Sequence, residues 1–213
     1  MTQRPLWRLS LVNAAMHGIA LAAAYFWIQP GSPLVPPEQR LHYLAGSSST
    51  WIAAWATWVA SALMMFAFTA ALSRRLKHEA GRVALFIAAA AVAIDLSCDA
   101  VFIGVFPWLA RQPFPAHIFL TVERITTVIS LGVANTFYSF AVLAQSIALR
   151  SEPVQRGAIV AGILVCAFGL LLSLSGFTGV PWHAQWATVP TIVGYTIWSL
   201  WTAWSLDRAG AGR

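Results

Sequence analysis

Charge is what this chain has least of. Only 9% of its 213 residues are Asp, Glu, Lys or Arg, and 59% are hydrophobic, whereas a soluble domain carries about 25% charged residues. So few charges cannot cover a water-facing surface, and a soluble globular domain is excluded as a class. Cysteine is also scarce. Cys98 and Cys166 are the only two, and helix counting puts them at different depths of their apolar runs. A disulfide needs Cα atoms within about 7 Å, so both are read as small buried packing residues. No CxxC or Cys/His spacing points to a metal or redox centre. Lysine is reduced to Lys77, between two apolar runs, which leaves no span able to form a retinal-type Schiff base. The P-loop, the Rossmann glycine fingerprint, GxSxG and HExxH are all missing, so the sequence names no cofactor and no catalytic residue.

What is present is apolar length. Mean hydropathy is +0.70, and about 20 apolar residues suffice for one spanning helix. The apolar runs fall at 9–28, 51–72, 83–110, 118–149, 158–176 and 186–206. They predict an all-α integral membrane protein, a bundle of six transmembrane helices forming one domain over residues 1–213. The first run follows Arg4 and Arg8 as a signal peptide would, but it is too long for one and ends in Tyr25-Phe26-Trp27, with no small-residue cleavage site.

The net charge of +6 does not imply nucleic acid, because the basic residues mark the ends of apolar runs and form no stripe interleaved with aromatics. Arg4, Arg8, Arg74, Arg75, Lys77, Arg82, Arg150, Arg156, Arg208 and Arg213 fall at alternate ends, while Arg40 and Arg111 alone fall at the opposite ends. That asymmetry predicts both termini in the cytoplasm of a bacterial-type inner membrane. Tryptophans agree: Trp27, Trp51, Trp55, Trp108, Trp182 and Trp186 gather towards the outer boundary, where the amphipathic indole is at home. The connection from Gln29 to Thr50 is the longest. Its prolines disfavour helix before Glu38, a short lid-like helix is expected at Glu38–Ala45, and the Ser47–Thr50 run supplies N-cap candidates. In the fifth run, Gly162, Cys166, Gly169, Ser173 and Gly176 recur every three or four residues and predict a close-packed helix seam.

Five ionisable residues interrupt the apolar runs: His17, Asp95, Asp99, Glu123 and Arg124. Each charge at mid-bilayer costs about 2.5–3.5 kcal/mol on insertion scales, so these groups are expected to face the bundle interior. Asp99 lies about 24 Å up the third run, and Arg124 about 9 Å below the opposite boundary. In a core about 30 Å thick those depths coincide, which predicts an Asp99–Arg124 ion pair. Asp95 lies one turn from Asp99 on the same helix face. The fourth run carries Asn135 and Tyr138 towards the cytoplasmic side, and the first contributes Asn13 and His17. The candidate ligand-binding or proton-linked set is therefore Asp95, Asp99, Glu123, Arg124, His17, Asn135 and Tyr138. His117 and His183 near the outer boundary form no HxxxH or ExxH pair, and no metal site is expected.

Three functions fit this pattern: a carrier or binding protein for a lipophilic or amphipathic small molecule, an intramembrane enzyme doing acid–base chemistry on a lipid or isoprenoid, and an accessory subunit. The expected surroundings are the lipid bilayer, a lipophilic small molecule and no nucleic acid, with assembly into a homo-oligomer or larger membrane complex left open. The topology is directly testable. Single cysteines at Ser49 and Ser151, in a background without native cysteine, should label from opposite sides. An impermeant reagent on intact cells should reach position 49 alone; labelling at 151 instead reverses the orientation.

Overall fold

The structure, a computed structural model, describes residues 5–152 and 154–211. Arg4, Arg213 and the side chains of Trp182 and His183, which enter the sequence pattern above, lie outside the described residues. Every described element is helical. Helix α1 (Pro5–Ala23) continues through a wider π turn (Ala24–Ile28), and α2 (Pro37–Gly46) follows the prolines. Helix α3 is Ser48–Ser73, and α4 (Glu79–Ala100) runs through a second π turn (Val101–Val105) into α5 (Phe106–Ala110). A third π stretch (Val128–Ala134) joins α6 (Ala116–Thr127) to α7 (Asn135–Ala148), before α8 (Arg156–Thr178) and α9 (Pro181–Ala211).

Five stretches are long and apolar enough to cross a membrane: Pro5–Gly31, Ser48–Ser73, Glu79–Ala110, Ala116–Ser151 and Arg156–Thr178. The sixth expected span, α9, is 31 residues long but contains Pro190 and is not in that set. Burial is inverted relative to a water-soluble protein. Phe86, Leu164, Phe26 and Ile197 are exposed, while Ser10, Asn13, Ser61, Asp99, Gln145 and Ser146 are buried. Apolar side chains outside and small polar ones inside are what a helix bundle in lipid requires. The chain is a multi-pass helical membrane protein.

The long helices pack in sequence order and close into a ring. Helix α1 lies against α3, α3 against α4, α4 against α7, α7 against α8, α8 against α9, and α9 returns to α1. The lower end of the ring is fastened by Asp207 of α9: it pairs with Arg75 at the end of α3 and accepts the Trp7 backbone N–H of α1 at 3.0 Å. At the upper end, Trp51 donates its indole N–H to the Phe102 carbonyl at 2.7 Å, and Tyr43 of α2 donates to the Trp27 carbonyl at 2.6 Å. Trp51 is thus a core residue, 2% exposed, and only Trp27, Trp108 and Trp186 of the described belt candidates stand exposed. The short helix expected at Glu38–Ala45 forms as α2. Ser47 occupies the N-cap of α3 without a side-chain capping bond.

The small-residue seam of α8 is buried along its length. A Cβ at Gly162 would strike the Ser146 hydroxyl, one at Gly169 the Ser139 hydroxyl, and one at Gly176 the backbone of Leu131 and Gly132. The Ser139 hydroxyl can turn away, whereas Gly162 also faces the buried Trp198 indole and Gly176 faces main chain. Gly176→Ala should therefore destabilise the fold by about 1–3 kcal/mol through overpacking. Gly18→Ala, which meets nothing within 4 Å, should be neutral or slightly stabilising. Thermal unfolding in detergent distinguishes them, and equal melting temperatures would mean that the α7–α8 contact is looser than described.

Candidate functional site

The axis of the ring is not filled. A chamber of about 140 Å³ lies there, with walls from all six long helices: His17 from α1, Trp58 and Ser61 from α3, Asp95 from α4, Asn135 and Tyr138 from α7, Val165 from α8 and Tyr195 from α9. Its one carboxylate is Asp95. Oδ1 accepts from the Ser130 hydroxyl at 2.8 Å and Oδ2 from the Tyr138 hydroxyl at 3.3 Å. In an uninterrupted α-helix residues eight apart sit about 80° apart around the axis. The i→i+5 turns of Val128–Ala134 widen the helix and bring Ser130 and Tyr138 onto one side. The π stretch is therefore the local reason that one acid reaches both hydroxyls.

His17 is buried in the α1 wall of the same chamber. Its Nδ1 is 2.9 Å from the Asn13 carbonyl and its ring centroid 5.0 Å from that of Tyr195. Asn135 turns the other way, donating to the Gly169 carbonyl at 2.7 Å and the Ser173 hydroxyl at 3.0 Å, so its amide holds α7 to α8 while its side chain borders the chamber.

Above the chamber lies a second, larger cavity of about 460 Å³, bordered by Trp51, Trp55, Phe102, Phe106, Glu123 and Arg124. Trp55 and Phe102 stack at 4.1 Å between centroids, and Phe106 meets Phe102 edge-on at 4.9 Å. The two cavities share Trp58, Ser130 and Leu131 in their linings, which makes those side chains the partition between them.

The predicted Asp99–Arg124 pair does not form. Arg124 donates to the carbonyls of Gly176 and Phe177 at 2.7 and 2.6 Å, the free carbonyl end of α8, where a cation is favoured by the helix dipole. Depth counting placed the two residues level, but Arg124 sits on the α8 side of its helix and Asp99 belongs to α4, on the opposite side in the ring. Gly179, in the left-handed conformation at φ 73°, ends α8 and lies under the guanidinium, where a Cβ would come within 3.1 Å of Cζ. Glu123 is not a spare carboxylate beside Arg124 either. It forms a buried ion pair with Arg40 of α2, whose guanidinium lies 5.8 Å over the Phe119 ring.

Asp99 is 1% exposed, and neither carboxylate oxygen has a hydrogen-bond partner. It lines neither cavity. The structure thus brings Asp95, Tyr138, His17 and Asn135 together around one chamber and places Glu123 and Arg124 at the cavity above. Arg40, Trp58 and Tyr195 were not singled out from sequence. Arg40 is hidden in a proline-rich connection. Trp58 carried a usable signal, since Trp51, Trp55 and Trp58 share one helix face at spacings of four and three. Among the described residues no group of three or more His, Cys, Asp or Glu is arranged to hold a metal ion. No protein-family model, no curated protein and no solved structure matches the chain.

The Arg40–Glu123 pair is a buried ionic tie between α2 and α6, and removing one partner strands the other in low dielectric. Arg40→Leu or Glu123→Leu alone should cost about 3–5 kcal/mol, and the double replacement should recover much of that loss. The same cycle on Asp99 and Arg124 should show no coupling. Chemical or thermal denaturation of the four single and two double variants checks both statements.

Proposed function

We propose that this is a six-span membrane protein with both termini in the cytoplasm, which binds a small lipophilic or amphipathic molecule in the axial chamber and passes it across the bilayer. In this orientation the upper cavity opens outward and α2 is its lid. The observation that carries the reading is the adjacency of the two cavities, the larger one walled by Trp51, Trp55, Phe102 and Phe106 and the smaller one holding Asp95, with Trp58, Ser130 and Leu131 common to both linings. An aromatic entrance accepts an apolar body, and a few fixed polar groups beyond it set orientation, which is the usual composition of a small-molecule site. Below the chamber, Phe68, Leu72, Val142, Leu149 and Trp198 form a continuous apolar cluster. On this reading the cluster is the closed side of the carrier. A helix-register role for the acids would not call for a chamber around Asp95.

The partition supplies the test. Leu131→Trp should fill the junction, and mass spectrometry of small molecules retained through mild-detergent purification should find a ligand with wild type and not with the variant. In a background without Cys98 and Cys166, Ser61→Cys, in the chamber alone, should react with an impermeant thiol reagent from outside, and Leu131→Trp should block it. Thr127→Cys, in the upper cavity alone, should react in both. An empty wild-type protein with an unreactive Ser61→Cys would defeat the carrier reading. A retained molecule that is chemically altered on incubation would favour an enzyme acting through Asp95.

A further inference from the structure

The buried charges of the ring do not balance. Glu123 is matched by Arg40 and Asp207 by Arg75, while Arg124 is consumed by the carbonyl end of α8. Asp95 meets only hydroxyls, and Asp99, one turn along the same helix, meets nothing. No Lys or Arg lines the chamber. Whenever Asp95 is ionised it demands a positive partner, and the one ring in the chamber wall that could become cationic, His17, is engaged with the Asn13 carbonyl at 2.9 Å.

We propose that the axial chamber is a site for a small lipophilic ammonium cation, with Asp95 as its counter-ion. This rests on reading the chamber as a small-molecule site and names the class of molecule. Three features beyond the acid support it. A carboxylate offers about four lone-pair directions, and Ser130 and Tyr138 occupy two, leaving the side towards the chamber to receive an N–H. Tyr195 is 4% exposed and borders the chamber, and its hydroxyl makes only a marginal contact with the Asn13 side chain, so it is able to turn to a ligand as a second polar contact. The remaining wall includes the aromatic side chains of Trp58, Tyr138 and Tyr195, and aromatic rings attract a desolvated cation. The aromatic cavity above offers the same attraction along the way in. Size fits one ring: an apolar cavity of about 150 Å³ holds a benzene molecule, and the chamber measures about 140 Å³.

Benzylamine and benzyl alcohol share shape and differ in charge at neutral pH, so binding of each to the purified full chain in nanodiscs, measured by equilibrium dialysis, tests the proposal. Benzylamine should bind saturably and more tightly than the alcohol. Asp95→Asn, which preserves shape while removing the charge, should raise the benzylamine Kd at least about tenfold and leave the alcohol unchanged. Tyr195→Phe should weaken the amine by a smaller factor. If Asp95→Asn does not fold, the wild-type comparison together with Tyr195→Phe still decides. Equal binding of amine and alcohol overturns the cation site while leaving a small-molecule chamber. Binding of neither overturns that reading as well. Displacement of benzylamine by sodium chloride, but not by N-methylglucamine chloride at equal ionic strength, assigns Asp95 to an inorganic cation and also overturns the proposal.

Discussion

A charge with no water around it must be answered by another group, and that constraint organises this structure from end to end. Each answered charge also joins two helices. Arg40 on Glu123 brings α2 down onto α6; Arg124 on the last carbonyls of α8 joins the α6 end to α8. Asp207 gathers the ends of α1, α3 and α9. Apolar packing cannot select neighbours in this way inside lipid, because a leucine gains little by exchanging a lipid tail for another leucine. Polar ties and small-residue seams therefore carry the specificity of the ring, the first at its ends and the second along its length.

The sequence made the helices legible, because apolar length follows from one dimension. A bilayer sets the length of an apolar run, and a constant rise per residue converts position into height. The seam on α8 was legible for a similar reason, since five small residues at helical spacing can serve only one face. Direction around the helix axis was not legible. Depth counting paired Asp99 with Arg124 without regard to azimuth, and adjoining residues 123 and 124 look towards different neighbours. The π stretch at Val128–Ala134 adds to this, because nothing in its apolar composition announces a wider turn that shifts the register of every residue after it. Arg40 escaped for another reason: it stands in a connection whose fold-back onto the bundle is a tertiary fact. α9 remains the least apolar of the expected spans, and its place in the ring comes from packing on α1 and α8.

The open axis follows from the closeness of the rim. On the α7–α8 side the helices already touch main chain to main chain at Gly132 and Gly176, and they cannot move inward. Trp58 of α3 and Tyr195 of α9 line the space from the other walls, and Tyr195 lies 5.8 Å from Trp198 between ring centroids. A void bounded in this way could stay dry if its wall were wholly apolar. Asp95 prevents that, since an acid held by two hydroxyls still has unfilled hydrogen-bonding capacity facing the space. The occupant must then present a polar end to Asp95 and an apolar body to Met65, Val142, Val165 and Leu172. Amphipathic character in the ligand is thus a consequence of where the wall is rigid and where it is charged.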